Sequence, residues 1–179
     1  MNPSSTNSSK MLGRQRHLGH QSRRMLQIGI AHFVFSGLEG FVIPRLASPP
    51  LGRSVHTLSG LQGVMMLTLG LFWPRLRLGA TASRIAYWTY IYSSLATLVP
   101  YVMAAVWGAG NTTIPLAAGT ARGNARQEAT IKVVLYSAAP PFFVSMALIL
   151  WGLRIVDRQS HAQSHRSAGS AGSPGPRGT

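Results

Sequence analysis

The chain has 179 residues, 46% of them hydrophobic, with 17 Lys and Arg against 3 Asp and Glu and a formal charge of +14. Cysteine is absent, which excludes disulfides, thiolate nucleophiles, iron–sulfur clusters and cysteine zinc sites. The three acids, Glu39, Glu128 and Asp157, cannot cover a soluble surface, and the basic residues lie between apolar blocks rather than on one folded face, so nucleic acid is not an expected partner.

Residues 1–24 are rich in Ser and Arg and hold no acid. This loosely resembles an organellar transit peptide, but a basic, disordered cytoplasmic tail is the plainer expectation. No secretory signal with a small-residue cleavage site precedes the first apolar block. That block, "MLQIGIAHFVFSGLEGFVIP", covers residues 25–44. The second covers about 55–74, the third about 84–108, and the fourth, "TIKVVLYSAAPPFFVSMALILWGL", covers 130–153. Each has about twenty residues, enough to cross a ~30 Å hydrocarbon core as a helix. A soluble bundle would need a polar stripe on every helix, and none of the four blocks has one. The expected fold is therefore all-α, an integral-membrane four-helix bundle in a lipid bilayer. Its membrane domain is 25–153, and a disordered tail occupies 154–179.

Orientation follows from the basic residues. Twelve Lys and Arg lie in the N-terminal segment, the second connection and the C-terminal segment. Five (Arg45, Arg53, Arg122, Arg126 and Lys132) lie on the other side. Both termini should face the cytoplasm, placing the protein in the cell inner membrane. Residues 108–130, "GAGNTTIPLAAGTARGNARQEAT", form a Gly-rich loop long enough to suggest a role. His161 and His165, four residues apart in the polar tail, are not expected to bind metal. Trp73, Trp88, Trp107 and Trp151 fall near span ends and read as interfacial anchors.

Within the spans, Ser36 with Gly40 and Ser59 with Gly63 are small-xxx-small pairs that let helix backbones approach. Pro100 and Pro140–Pro141 should kink the third and fourth spans. His56, Ser59 and Gln62 or Gly63 recur at three- to four-residue spacing and read as one helix face, while Ser93, Thr97 and Tyr101 form a second polar stripe. The two stripes either line a pocket or hydrogen-bond across the helices. His56 is either an interfacial residue or a ligand to haem or metal, for which one axial histidine suffices. No second His, Asp or Glu stands at zincin-like spacing. Glu39 is the only acid within a span, with His32 seven residues before it on roughly the same face. It either lines a cavity or is satisfied by headgroups or an arginine near the helix end.

The runs "FVIPRLASPPLGRSVHTLSGLQGVMMLTLGLFWPRLRL" and "WGAGNTTIPLAAGTARGNARQEA" resemble bacterial hydroxylaminobenzene mutases, a family related to styrene oxide isomerase. The resemblance spans residues 26–153 and rests on H-x5-[N/Q]-G, W-P-R-L, W-G-A-G and the Gln127–Glu128 pair together. It implies a membrane isomerase without a redox cycle, acting on small aromatic substrates: hydroxylaminobenzene to 2-aminophenol, or an epoxide to an aldehyde. It also implies a homotrimer and haem b held by one histidine, which His56 matches. Tyr101 matches a substrate-lining tyrosine, and Gln62 stands where the family has Asn, keeping the amide. On this basis Tyr101 and Gln62 are the expected catalytic residues that hold the substrate oxygen, with Glu128 a candidate acceptor for the ring proton. Ser93 stands where styrene oxide isomerase is expected to carry a carboxylate, which sets this chain apart from that substrate. The reading from another class is a non-catalytic membrane subunit.

Overall fold

A computed structural model describes the backbone of residues 3–170 and the side chains of 18–154. Among these residues there are helices and turns and no strands. The helices are α1 (Pro3–Val42), α2 (Pro49–Phe72), α3 (Ala80–Trp107), the single turn α4 (Pro115–Ala118), α5 (Ala125–Ser137) and α6 (Ala139–Ser170). Prolines mark several of the starts: Pro49, Pro115 and Pro140 lie in first turns, where a missing N–H leaves no bond unmade. Four segments are long and apolar enough to cross a membrane: Leu18–Arg45, Pro49–Arg75, Ala80–Trp107 and Ala125–Arg154.

Three expectations change. The first packed helix reaches back before residue 25, because Leu18, Gln21 and Met25 are all buried. The Gln21 side-chain amide oxygen Oε1 accepts from Trp73 Nε1 (3.0 Å) and Ser83 Oγ (2.8 Å), tying α1 to the ends of α2 and α3. Trp73 is thereby a fully buried core residue rather than an interfacial anchor. The fourth span reaches back to Ala125 and is interrupted at Ala138, where α5 ends and α6 begins just ahead of Pro140 and Pro141. Pro100, by contrast, lies inside α3, whose helix continues through it. His161, His165 and Asp157 lie outside the described side chains.

The helices pack in chain order, α1 on α2, α2 on α3, and α3 on α5 and α6. Half of the most apolar window of α3 is buried, against 17% in the first span, so α3 is the central helix. The α1–α2 seam is built on glycine. A Cβ on Gly63 would sit 3.0 Å from the Gly29 carbonyl oxygen, and a Cβ on Gly29 would sit 3.0 Å from that of Gly63. One apolar cluster, around Met25, Met66, Trp73 and Tyr87, fills one end of the bundle, and another, around Leu51, Leu98, Ala105 and Ile131, fills the other. Buried Ser59, Gln62, Ser93 and Ser94 provide polar groups on α2 and α3.

Candidate functional site

His56 is on the second turn of α2, and its side chain is 48% exposed on the side where α1 crosses. Ring atom Nδ1 lies 2.9 Å from the Ser36 carbonyl oxygen and 3.3 Å from Ser36 Oγ. The Ser36 hydroxyl proton is already committed, because Oγ donates to the His56 carbonyl oxygen at 2.8 Å. The third neighbour is the Glu39 carboxylate, 3.9 Å away. Every group facing Nδ1 is thus an acceptor, so the proton of the neutral ring resides on Nδ1, which donates to the Ser36 carbonyl. Nε2 is left with a bare lone pair. That tautomer, fixed by a hydrogen bond from the other ring nitrogen, is the one a metal-ligating histidine uses. Gly40 lies against the ring, and a Cβ there would touch Nδ1 at 3.4 Å, an ordinary packing contact. Among the described residues, no three His, Asp or Glu side chains converge as a metal cluster. A group that brings most of its own ligands and asks for one imidazole fits this donor set, and haem is such a group.

Gln62 turns the other way. Its Nε2 donates to the Ser94 carbonyl oxygen on α3 (3.2 Å), leaving Oε1 buried without a partner. Ser94 Oγ is also buried and unpaired. The atom of the Gln62 amide left free to meet a substrate is therefore an acceptor. For Gln62 the proposed common face with His56 is corrected. Each three-residue step falls 60° short of a full turn at 3.6 residues per turn, so His56 and Gln62 diverge by about 120°. His56 faces the α1 side, Ser59 is buried with Oγ on the His56 carbonyl oxygen, and Gln62 faces α3.

Two concavities meet at Leu58 and Leu61. A cavity of about 180 Å³ is walled by Leu58, Leu61, Met65, Tyr90 and Phe142, with Gln62, Ser93, Ser94 and Thr97 as its polar lining. An apolar cavity of ~150 Å³ accepts benzene, so this one is the size of a single aromatic ring. Next to it, a more open groove of about 520 Å³ is lined by Arg53, Ser54, Thr57, Tyr101 and Leu116 among others. Tyr101 and Gln62 therefore occupy adjoining spaces with a common wall, and His56 lines neither. Ser93 is spent on structure, donating to the Ala138 carbonyl oxygen (2.9 Å) where α5 gives way to α6.

Glu128 has a different role from the one expected. Its carboxylate accepts from Gly110 N (2.7 Å), Gly123 N (3.2 Å), Thr112 N (3.2 Å) and Thr112 Oγ1 (2.5 Å). It clasps the Gly-rich loop onto the first turn of α5, beside the reciprocal cap between Asn124 and Gln127. Gly123 permits this close approach, since any Cβ there would collide with the Ala109 side chain. Glu128→Gln should cost about 1–2 kcal/mol, allowing for the partial exposure of these bonds. Thermal unfolding in detergent should register that loss, while folded protein keeps its turnover. Full stability with collapsed turnover would return Glu128 to the role of base.

The profile of the styrene oxide isomerase family matches residues 21–154, which include α2, α3 and every side chain of the site described above. The chain belongs to the styrene oxide isomerase family. It is 42% identical to hydroxylaminobenzene mutase HabB of Ectopseudomonas oleovorans over 133 residues, 74% of this chain and 81% of the relative. It is 29% identical to hydroxylaminobenzene mutase HabA of the same organism over 125 residues, 70% of this chain and 93% of the relative. No solved structure matches. These relatives are isomerases, and this member of the family is an isomerase whose described helices include four able to span a membrane. Composition and spacing had singled out His56 and Gln62. They gave no special weight to the Ser36 carbonyl or Ser94 Oγ, for which the small-xxx-small pair and the paired serines at 93–94 were the available signals.

Proposed function

We propose that the protein rearranges small, membrane-soluble aromatics, with hydroxylaminobenzene to 2-aminophenol the first candidate reaction. The observation that carries this is a ring-sized apolar cavity with two unpaired buried polar atoms, Gln62 Oε1 and Ser94 Oγ. The mutase names of two relatives support the same chemistry. In that conversion the N–O bond breaks, a C–O bond forms at the ortho carbon, and the proton released from that carbon as the ring rearomatises is returned, in net terms, to the nitrogen, which becomes NH2. Leu58, Leu61, Met65 and Phe142 hold the ring and keep water from trapping a cationic intermediate. Gln62 Oε1 accepts from the hydroxylamino N–H or O–H, and Ser94 Oγ supplies a second polar contact. Tyr101 hydroxyl, in the adjoining groove, donates to the oxygen as negative charge develops on it.

Haem b is the cofactor of this reading, held by His56 through Nε2. When bound there, its iron would supply a Lewis acid for an oxygen leaving carbon or nitrogen; because His56 lines neither cavity of its own chain, that oxygen would reach it from the cavity of a neighbouring copy. A homotrimer suits the exposed positions of His56 and of the Tyr101 groove, which allow contributions from neighbouring copies. Both termini face the cytoplasm, and the inner membrane is the location. Epoxide isomerisation is the second reading, favoured by the family profile. The loss of a carboxylate at Ser93 weighs against it.

The test is to incubate detergent-purified protein with hydroxylaminobenzene, follow 2-aminophenol, and record the visible spectrum before and after addition. Product formation with a Soret band that shifts on addition supports the proposal, and absence of product rejects the substrate. Tyr101→Phe should lower turnover about 10²-fold with the haem spectrum preserved. Equal turnover would remove Tyr101 from the site.

A further inference from the structure

Glu39 is an acid in the last turns of α1, inside an apolar span, with its side chain only 10% exposed. Both carboxylate oxygens are enclosed and neither has a hydrogen-bond partner. Such a group is costly in a membrane segment unless it is put to use. Among the described residues, the one basic side chain within 4 Å of it is the His56 ring. The surrounding packing holds it there. Gly52 lies one helical turn before His56 on α2, and a Cβ on it would come within 3.3 Å of Glu39 Oε1. The carboxylate is thus seated against the part of α2 that carries the histidine.

We propose that Glu39 is a positioning residue for His56: its carboxylate keeps the ring proton on Nδ1 and makes Nε2 the stronger electron donor. This rests on the reading of His56 as the haem ligand. The hydrogen bond itself belongs to the Ser36 carbonyl, at 2.9 Å. At 3.9 Å the carboxylate, when ionised, acts through its charge, which attracts an N–H and repels a lone pair. Outer groups of this kind set the basicity of a ligating imidazole and, with it, the properties of the metal. The Ser36 acceptor is backbone and survives any substitution, whereas the Glu39 charge can be removed alone.

The experiment uses the full-length protein purified in detergent as wild type, Glu39→Gln and Glu39→Asp. It measures haem content, the iron–histidine stretch of the ferrous form and the ferric/ferrous potential. In Glu39→Gln the stretch should fall in frequency. The ferric-to-ferrous ratio at a fixed potential should shift about tenfold toward ferrous, which is about 59 mV for a one-electron couple. Glu39→Asp should lie nearer the wild type. Haem-replete Glu39→Gln with unchanged stretch and potential overturns the proposal while leaving His56 as ligand. If Glu39→Gln loses haem, retention by Glu39→Asp supports the carboxylate role, and loss from both overturns it in favour of packing. A wild type that carries no haem overturns this proposal and the cofactor reading together.

Discussion

His56→Ala is expected to abolish haem retention and to lower turnover by ~10³-fold or more, the scale of losing a principal electrostatic stabiliser of the transition state. The fold should survive. The ring is half exposed, and Ser36 and Ser59 both donate to the His56 carbonyl oxygen rather than to the ring, so alanine keeps those two bonds between and within the helices. Size-exclusion profile and thermal stability should stay near wild type while the Soret band disappears. Added imidazole should enter the vacated space and restore part of the band, because the site opens on an exposed face. Unchanged haem content in the variant would reject His56 as the ligand, whatever happens to activity.

Gly63→Val should have the largest effect on stability. A Cβ at this position would meet the Gly29 carbonyl oxygen at 3.0 Å and the Phe33 ring at 3.0–3.2 Å. The ring can move, but the carbonyl is backbone of α1 and cannot move without parting the helices. Overpacking of this kind costs about 1–3 kcal/mol, and a branched side chain belongs at the upper end. Because Ser36 and Glu39 reach His56 across the same seam, parting it should also loosen the histidine. Yield, melting temperature and haem content should therefore fall together in Gly63→Val. Glu39→Gln, which adds no bulk to the seam, should not reproduce that combined loss. A Gly63→Val protein with wild-type stability would show that α1 and α2 are held apart from the geometry described.

How far each residue could be read from the sequence depends on what determined its position. Gly29 and Gly63 pack as small residues in a membrane helix should, and the Ser36–Gly40 pair lies directly against the His56 ring. Trp73 was misleading because an aromatic at the end of an apolar run has the same sequence signature whether it meets headgroups or, as here, the Gln21 amide. Glu128 was misleading for a related reason. Its place after a Gly-rich loop marked it as special, but its four donors come from Gly110, Thr112 and Gly123, whose N–H groups converge only once the loop has folded.

The sequence by itself determined the four apolar spans and the family, and it singled out His56, Gln62 and Tyr101 as candidates, because hydrophobic length and motif spacing are properties of the linear chain. Which way those side chains face was decided by tertiary structure. Helical drift separates His56 from Gln62, and the packing of α1 on one side of α2 and α3 on the other assigns them to different neighbours. The Nδ1 proton of His56 and the free Oε1 of Gln62 follow from those neighbours, and a hydrogen-bond partner supplied by another helix cannot be read from spacing within one.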